Sequence, residues 1–163
     1  ENRISSKEGI KMSRIISFRG LIADGGQEQI PLQTIQGLIG YKITKFEVMP
    51  HKPTTGGAEE SVVQIWKVEQ SAPSTTTVEI DFTDNRLLAA AYWIGSDNPI
   101  YSKSTHVIFD GEKFNQDIYI THTNTDGDPD NAINYYIELE QMKLDLNEQT
   151  VATLKDIRNT GTQ

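Results

Sequence analysis

Between Asn134 and Arg158 the chain reads NYYIELEQMKLDLNEQTVATLKDIR, and its apolar period changes partway along. Up to Leu144 the alternation is two: Tyr135, Ile137 and Leu139 fall on one face, Tyr136, Glu138 and Glu140 on the other. Successive side chains of an extended chain point to opposite faces, so this pattern predicts a half-buried antiparallel strand. At Asp145 the period becomes helical. Asp145 with Glu148 three residues later forms a capping-box-like start, Val151, Leu154 and Ile157 recur at helical spacing, and Lys155 and Arg158 sit where the helix dipole favours cations. A strand with one apolar face needs a second layer against it, and here a helix that covers one end of the sheet must follow at once.

The period of two recurs upstream. Ile16, Phe18 and Ile22 alternate with Ser17, Arg19 and Leu21, ahead of a turn at Asp24-Gly25-Gly26. Gln27–Leu32 reads as a short strand whose Pro31 belongs at an edge or a strand end. After a turn at Gly37–Gly40, Tyr41–Met49 is strand-like, but Tyr41 and Ile43 are in one phase and Phe46 and Val48 in the other, which predicts a β-bulge. Ser61–Gln70 is apolar on both faces (Val62, Trp66 and Val68; Val63 and Ile65), the pattern of a central strand. Thr77–Phe82 carries β-branched residues and reads as strand. Asp84–Gly95 is open: Leu87, Leu88 and three alanines favour a helix capped by Asp84, whereas its neighbours favour a strand. Thr105–Phe109 and Asp117–His122 complete about nine or ten short strands with no βαβ alternation. The expected fold is all-β, an antiparallel β-sandwich or jelly-roll-like domain over residues 14–159 with one short C-terminal helix, a polar N-terminal arm at 1–13 and a tail at 160–163.

Composition narrows the chemistry. A chain of 163 residues is long enough for one core without staples. It has no cysteine, which removes disulfides, thiolate metal sites and a cysteine nucleophile. A net charge of −8 argues against a nucleic-acid partner, because phosphate binding needs a basic face, and no apolar run approaches the length of a membrane span.

Local motifs are few. Asp126, Asp128 and Asp130 alternate as at the start of an EF-hand calcium loop, but Asn131 stands where that loop needs Gly, Ile137 where it needs the bidentate acid, and strands flank the run. The three aspartates are a weak calcium candidate; a solvated loop of turn formers is the plainer reading. His51, His106 and His122 have no metal-ligand spacing, although pairing of their strands would bring His106 and His122 together, with Asp110 or Asp117 beside them. Neither a GxSxG elbow nor a phosphate-binding loop occurs. Trp66 and one of Tyr92 and Trp93 suit a core, whereas Tyr136 suits an outer face. No catalytic residue, cofactor or metal is assigned.

Three runs carry a family resemblance: GYKITKFEVMP at Gly40–Pro50, IDFTDNRLLAAAYW at Ile80–Trp93, and FNQDIYITH continuing into the strand-to-helix stretch, from Phe114 to Arg158. Together they resemble the small virion structural proteins of marine tailed bacteriophages, over most of the chain from Phe18 to Arg158. The resemblance implies a non-enzymatic particle component that decorates or cements the capsid surface, with the major capsid protein or other virion proteins as partners. A homo-oligomer, a trimer by analogy with threefold capsid positions, is expected, as is docking of residues 1–13 on a neighbouring subunit. Tyr136, Glu138 and Glu140 are the expected contact face. A tail-associated or carbohydrate-binding module for host-surface adhesion is the alternative.

Overall fold

The computed structural model describes residues 13–53, 59–73, 79–95, 103–109, 111–124 and 131–160. Among these residues the chain forms eight strands and a helix: β1 (Arg14–Ile22), β2 (Gln27–Ile30), β3 (Ile39–Pro50), β4 (Glu59–Trp66), β5 (Leu87–Gly95), β6 (Lys103–Ile108), β7 (Ile118–Asn124), β8 (Ile133–Lys143) and α1 (Leu146–Thr160). Every strand pair is antiparallel. The strands make two sheets, β1-β8-β3 and β2-β7-β4-β5-β6, so the fold is an all-β sandwich with one short C-terminal helix, as the alternation predicts.

The strand order is that of a rolled-up hairpin. β1 pairs with β8, β2 with β7 and β4 with β5, so the two halves of the chain run back along one another. Full jelly-roll closure would also pair β3 with β6. Here β6 hydrogen-bonds to β5 instead and only packs beside β3. One consequence is that Asp24-Gly25-Gly26 is no hairpin turn. It carries the chain from the three-stranded sheet into the five-stranded one, with Gly25 at φ 69° and its N–H donating to His122 O at 2.9 Å.

The core lies between the sheets. β8 contributes Ile133, Tyr135, Ile137 and Leu139, all buried, and alternates them with half-buried Asn134, Tyr136, Glu138 and Glu140. Opposite stand Val63 and Ile65 of β4, Ile118 and Ile120 of β7, and Ala89 and Ala91 of β5. The alanines explain why β5 is a strand despite its helix-favouring composition: a central strand packed on both faces has room for small side chains, and tertiary burial overrides local propensity. The phase slip in β3 is a bulge. Its register against β8 shifts between Ile43 and Lys45, and Thr44 Oγ1 donates to Glu138 O at 3.2 Å. The bulge returns Phe46, which is fully buried, to the core face.

One expected strand does not form. Glu79–Phe82 is turn and irregular chain, and Thr77 and Val78 lie outside the described residues. Asp81 Oδ1 accepts from Thr83 N at 2.9 Å and Thr83 Oγ1 at 2.7 Å, and Asp84 Oδ1 accepts from Arg86 N at 2.9 Å. These local bonds compete with a sheet ladder. Ser61–Gln70 likewise leaves its ladder at Trp66, earlier than its pattern suggests.

The helix start is the capping box read from the sequence: Glu148 N donates to Asp145 Oδ1 at 2.8 Å, and Asp145 N donates to Glu148 Oε2 at 3.1 Å. Asp145→Ala should lower unfolding stability by about 1 kcal/mol, the usual worth of such a cap. Urea denaturation followed by circular dichroism measures it, and an unchanged midpoint would mean that α1 does not depend on this cap.

Candidate functional site

The outer faces of the two sheets are treated differently. That of the five-stranded sheet is roofed. Trp66, Leu87 and Ala90 are buried there with Phe109 and Tyr119 against them, and Gln64 and Thr121 are fully buried. The roof is formed by residues 67–73 and 79–86, which follow β4 and precede β5. Gln70 exchanges two hydrogen bonds with Gln27, Thr123 Oγ1 donates to Pro73 O, Gln64 Nε2 donates to Glu79 O, and Phe82 meets Phe109 edge to face at 5.3 Å. Trp66 Nε1 donates to Thr121 Oγ1 at 3.1 Å beneath it, so Trp66 is core and offers no stacking platform.

The outer face of β1-β8-β3 has no such roof among the described residues. Register sets its rows: Ile15 beside Glu140 and Lys42, Ser17 beside Glu138 and Lys45, Arg19 beside Tyr136 and Glu47, Leu21 beside Asn134 and Met49. Ile15, Leu21 and Met49 are exposed at 53%, 47% and 63%; Leu21 and Met49 flank Asn134 in one row, and Ile15 lies three rows away. At one end of the face lies an open depression of roughly 880 Å³, floored by Arg19, Glu47, Met49, Asn134 and Tyr136. Ser104 and His106 of β6 form a wall, where β6 packs beside β3 without pairing to it.

Tyr136, Glu138 and Glu140 are therefore brought onto one face as the alternation predicts, and each is tied to a neighbour. Tyr136 Oη donates to Glu138 Oε1 at 2.8 Å, and Lys45 Nζ lies 5.5 Å from the centre of the Tyr136 ring, a cation–π distance. Lys42 Nζ is 3.1 Å from Glu140, and hydrogen bonding from Lys42 and Ser13 holds that carboxyl below the ordinary carboxylate range. The face thus presents an aromatic ring, charges of both signs and separate apolar side chains. That mixture suits docking of another surface. Sequence reasoning missed Ile15, Leu21 and Met49 as part of it, because their membership depends on which distant strands flank β8.

The other candidates come apart. His106 and His122 lie on β6 and β7, with β4 and β5 between them, and do not meet. His122 is buried, its Nδ1 3.1 Å from Ile22 O and its Nε2 3.1 Å from Ser61 Oγ; His51 and His106 are exposed. Asp117 joins neither histidine. It clamps the end of β2 by accepting from Leu32 N, Gln33 N and Gln29 Nε2, each at 2.8 Å; burial raises its pKa, but these bonds outweigh burial and leave it low. Asp110 and the calcium candidates Asp126, Asp128 and Asp130 lie outside the described residues. Among the described residues no three His, Asp or Glu side chains are grouped to hold a metal, and no helix is long and apolar enough to cross a membrane.

No protein-family model matches the chain, and no curated protein matches it.

His122 gives the fold a pH dependence. Burial pushes its pKa below the ordinary histidine value, outweighing the opposing bond to Ile22 O. The unfolded chain then takes up a proton at about pH 6.5 that the folded chain refuses, so stability falls as pH drops below that value, by at most about 1.4 kcal/mol per pH unit for one proton. Unfolding midpoints measured from pH 7.5 to 5 should decline. A flat profile in that window would contradict the buried, neutral imidazole.

Proposed function

We propose that this chain is a non-enzymatic structural protein of a tailed-phage virion, decorating or cementing the capsid surface through protein–protein contacts. The open face of β1-β8-β3 is the surface that meets the major capsid protein or another virion protein. The observation that carries the reading is the contrast between the two sheets: one outer face is roofed by the chain's own 67–73 and 79–86 segments, and the other leaves Leu21 and Met49 bare beside Tyr136, with Ile15 exposed further along the same face. Tyr, Arg and Met are the residue types that interfaces favour, and Tyr136, Arg19 and Met49 stand together on this face. The sequence resemblance supports the virion. The jelly-roll strand order agrees with it only as a fold, since capsid and lectin domains share that architecture.

The alternative, a tail-associated or carbohydrate-binding module, draws on the same depression, where Tyr136 stands beside Arg19, Glu47 and Asn134. Binding separates the two. Purified protein should rebind particles stripped of it, and a Met49→Glu, Tyr136→Ala variant should bind roughly 10- to 100-fold more weakly, the scale of losing one or two interface anchors. Both positions lie on the outer face, so the variant should keep the wild-type circular dichroism spectrum. Unchanged occupancy of the variant would reject this face as the contact. Glycan binding without particle binding would favour the adhesion module.

A further inference from the structure

A bare sheet edge defines its occupant more closely than a bare apolar patch does. The helix α1 exposes Leu146, Val151, Leu154 and Ile157, but apolar burial is non-directional and chooses no particular partner. An unpaired strand presents N–H and C=O groups at fixed spacing, and an extended backbone is what meets them.

The two sheets have their edges at β1, β3, β2 and β6. Three of these are guarded. β3 is met by Phe114 at Tyr41, bulges at Thr44 and has β6 packed beside it, which occupies the edge of β6 as well. β2 is four residues long, and Gln27 at its start is tied to Gln70. β1 is nine residues long, pairs with β8 without a register shift, and has no strand on its other side among the described residues.

Hydrogen bonds in antiparallel ladders alternate between the two sides of a strand. His51 N donates to Ala132 O at 3.0 Å, Leu144 N donates to Leu38 O at 2.8 Å, and Thr44 Oγ1 donates to Glu138 O. The even-numbered residues of β8 therefore turn to β3 and the odd-numbered ones to β1. By register, Arg14, Ile16, Phe18, Gly20 and Ile22 belong to the β8 ladder. Ile15, Ser17, Arg19 and Leu21 turn their N–H and C=O groups to the bare edge.

Side chains along that edge are part-covered on both faces. Ile16 and Phe18 pack on the core yet stay half-buried, and Ile15 and Leu21 are exposed on the outer face. In a chain of net charge −8, β1 carries Arg14 and Arg19 and no acid. Neither guanidinium is in an ion pair among the described residues.

We propose that the free edge of β1 is a strand-addition site for an extended segment of a partner protein that alternates apolar and acidic side chains. The segment's backbone pairs with the outward groups of Ile15, Ser17, Arg19 and Leu21. Its apolar residues cover Ile16 and Phe18 on the inner face, and an acid on the outer face stands across from Arg19. A basic segment is rejected by the same arginine, and a second β1 offers it no acid.

Hydrogen exchange and peptide binding test the site with no particle present, so it can fail while the virion reading stands, and the reverse. In the free chain the amides of Ile15, Ser17, Arg19 and Leu21 should exchange roughly 10-fold or more faster than those of Ile16, Phe18 and Gly20. A peptide as long as β1 that alternates valine and glutamate should slow the outward amides. It should bind roughly 10-fold tighter than one alternating valine and lysine. Ser17→Pro deletes an outward donor and leaves the β8 ladder whole, so it should weaken the glutamate peptide about 10-fold while the β8 amides stay protected. Arg19→Glu should reverse the preference between the peptides. Outward amides already slow in the free chain, whether covered by the chain's own residues 1–12 or by a second copy, would overturn the site. Equal binding of the two peptides, binding of neither, or an Arg19→Glu variant with unchanged preference would overturn it too.

Discussion

β8 is hydrogen-bonded along its length to β1 on one side and β3 on the other, and the rest of the sandwich depends on that double pairing. Its inner row, Ile133, Tyr135, Ile137 and Leu139, is buried only because both neighbours hold it flat against the five-stranded sheet. Losing the contribution of one such fully buried aliphatic side chain typically costs 2–5 kcal/mol, a large part of what holds a domain folded. The same pairing fixes the outer row. With the register set, Tyr136 stands between Arg19 and Glu47, and Glu138 between Ser17 and Lys45.

Two features fit β3 to that arrangement. Thr44 bulges out of β3, so that Tyr41 and Ile43 before it and Phe46 after it all reach the core. At the other end Tyr41 and Phe114 exchange backbone hydrogen bonds at 2.8 and 3.0 Å, with their rings stacked 6.2 Å apart, closing the free edge of β3 where it begins. Beyond the bulge β3 has no such partner among the described strands, because β6 pairs with β5. The depression beside Tyr136 lies at that opening.

Much of this was legible in the sequence for a local reason. The alternation in β8, the phase slip in β3 and the Asp145–Glu148 box each involve residues within a few positions of one another, and each was found where the pattern put it. Features that depend on distant pairing were not legible. Nothing in LLAAAYW says that its alanines will sit on both faces of a central strand, and β-branched Thr77–Phe82 gives no warning that Asp81 and Asp84 will fold the chain into turns. The helix is the sharpest case. Its apolar spacing announced α1 correctly, but spacing has no direction, and only Glu148, Gln149 and Thr153 on the inner side reveal that the stripe points outward. The contact face divides in the same way: Tyr136, Glu138 and Glu140 share a face by alternation alone, whereas Ile15, Leu21 and Met49 join them through register with strands about a hundred residues away.

In the proposed role, the open face of the three-stranded sheet is covered by another protein of the virion. Cryo-electron microscopy of the native particle tests it most directly. Density for this sandwich is expected on the capsid surface, with the rows around Tyr136 and Met49 against a second protein and the roofed sheet facing outward. A particle in which the sandwich is present but the β1-β8-β3 face looks into solvent, or from which the sandwich is absent altogether, would contradict it.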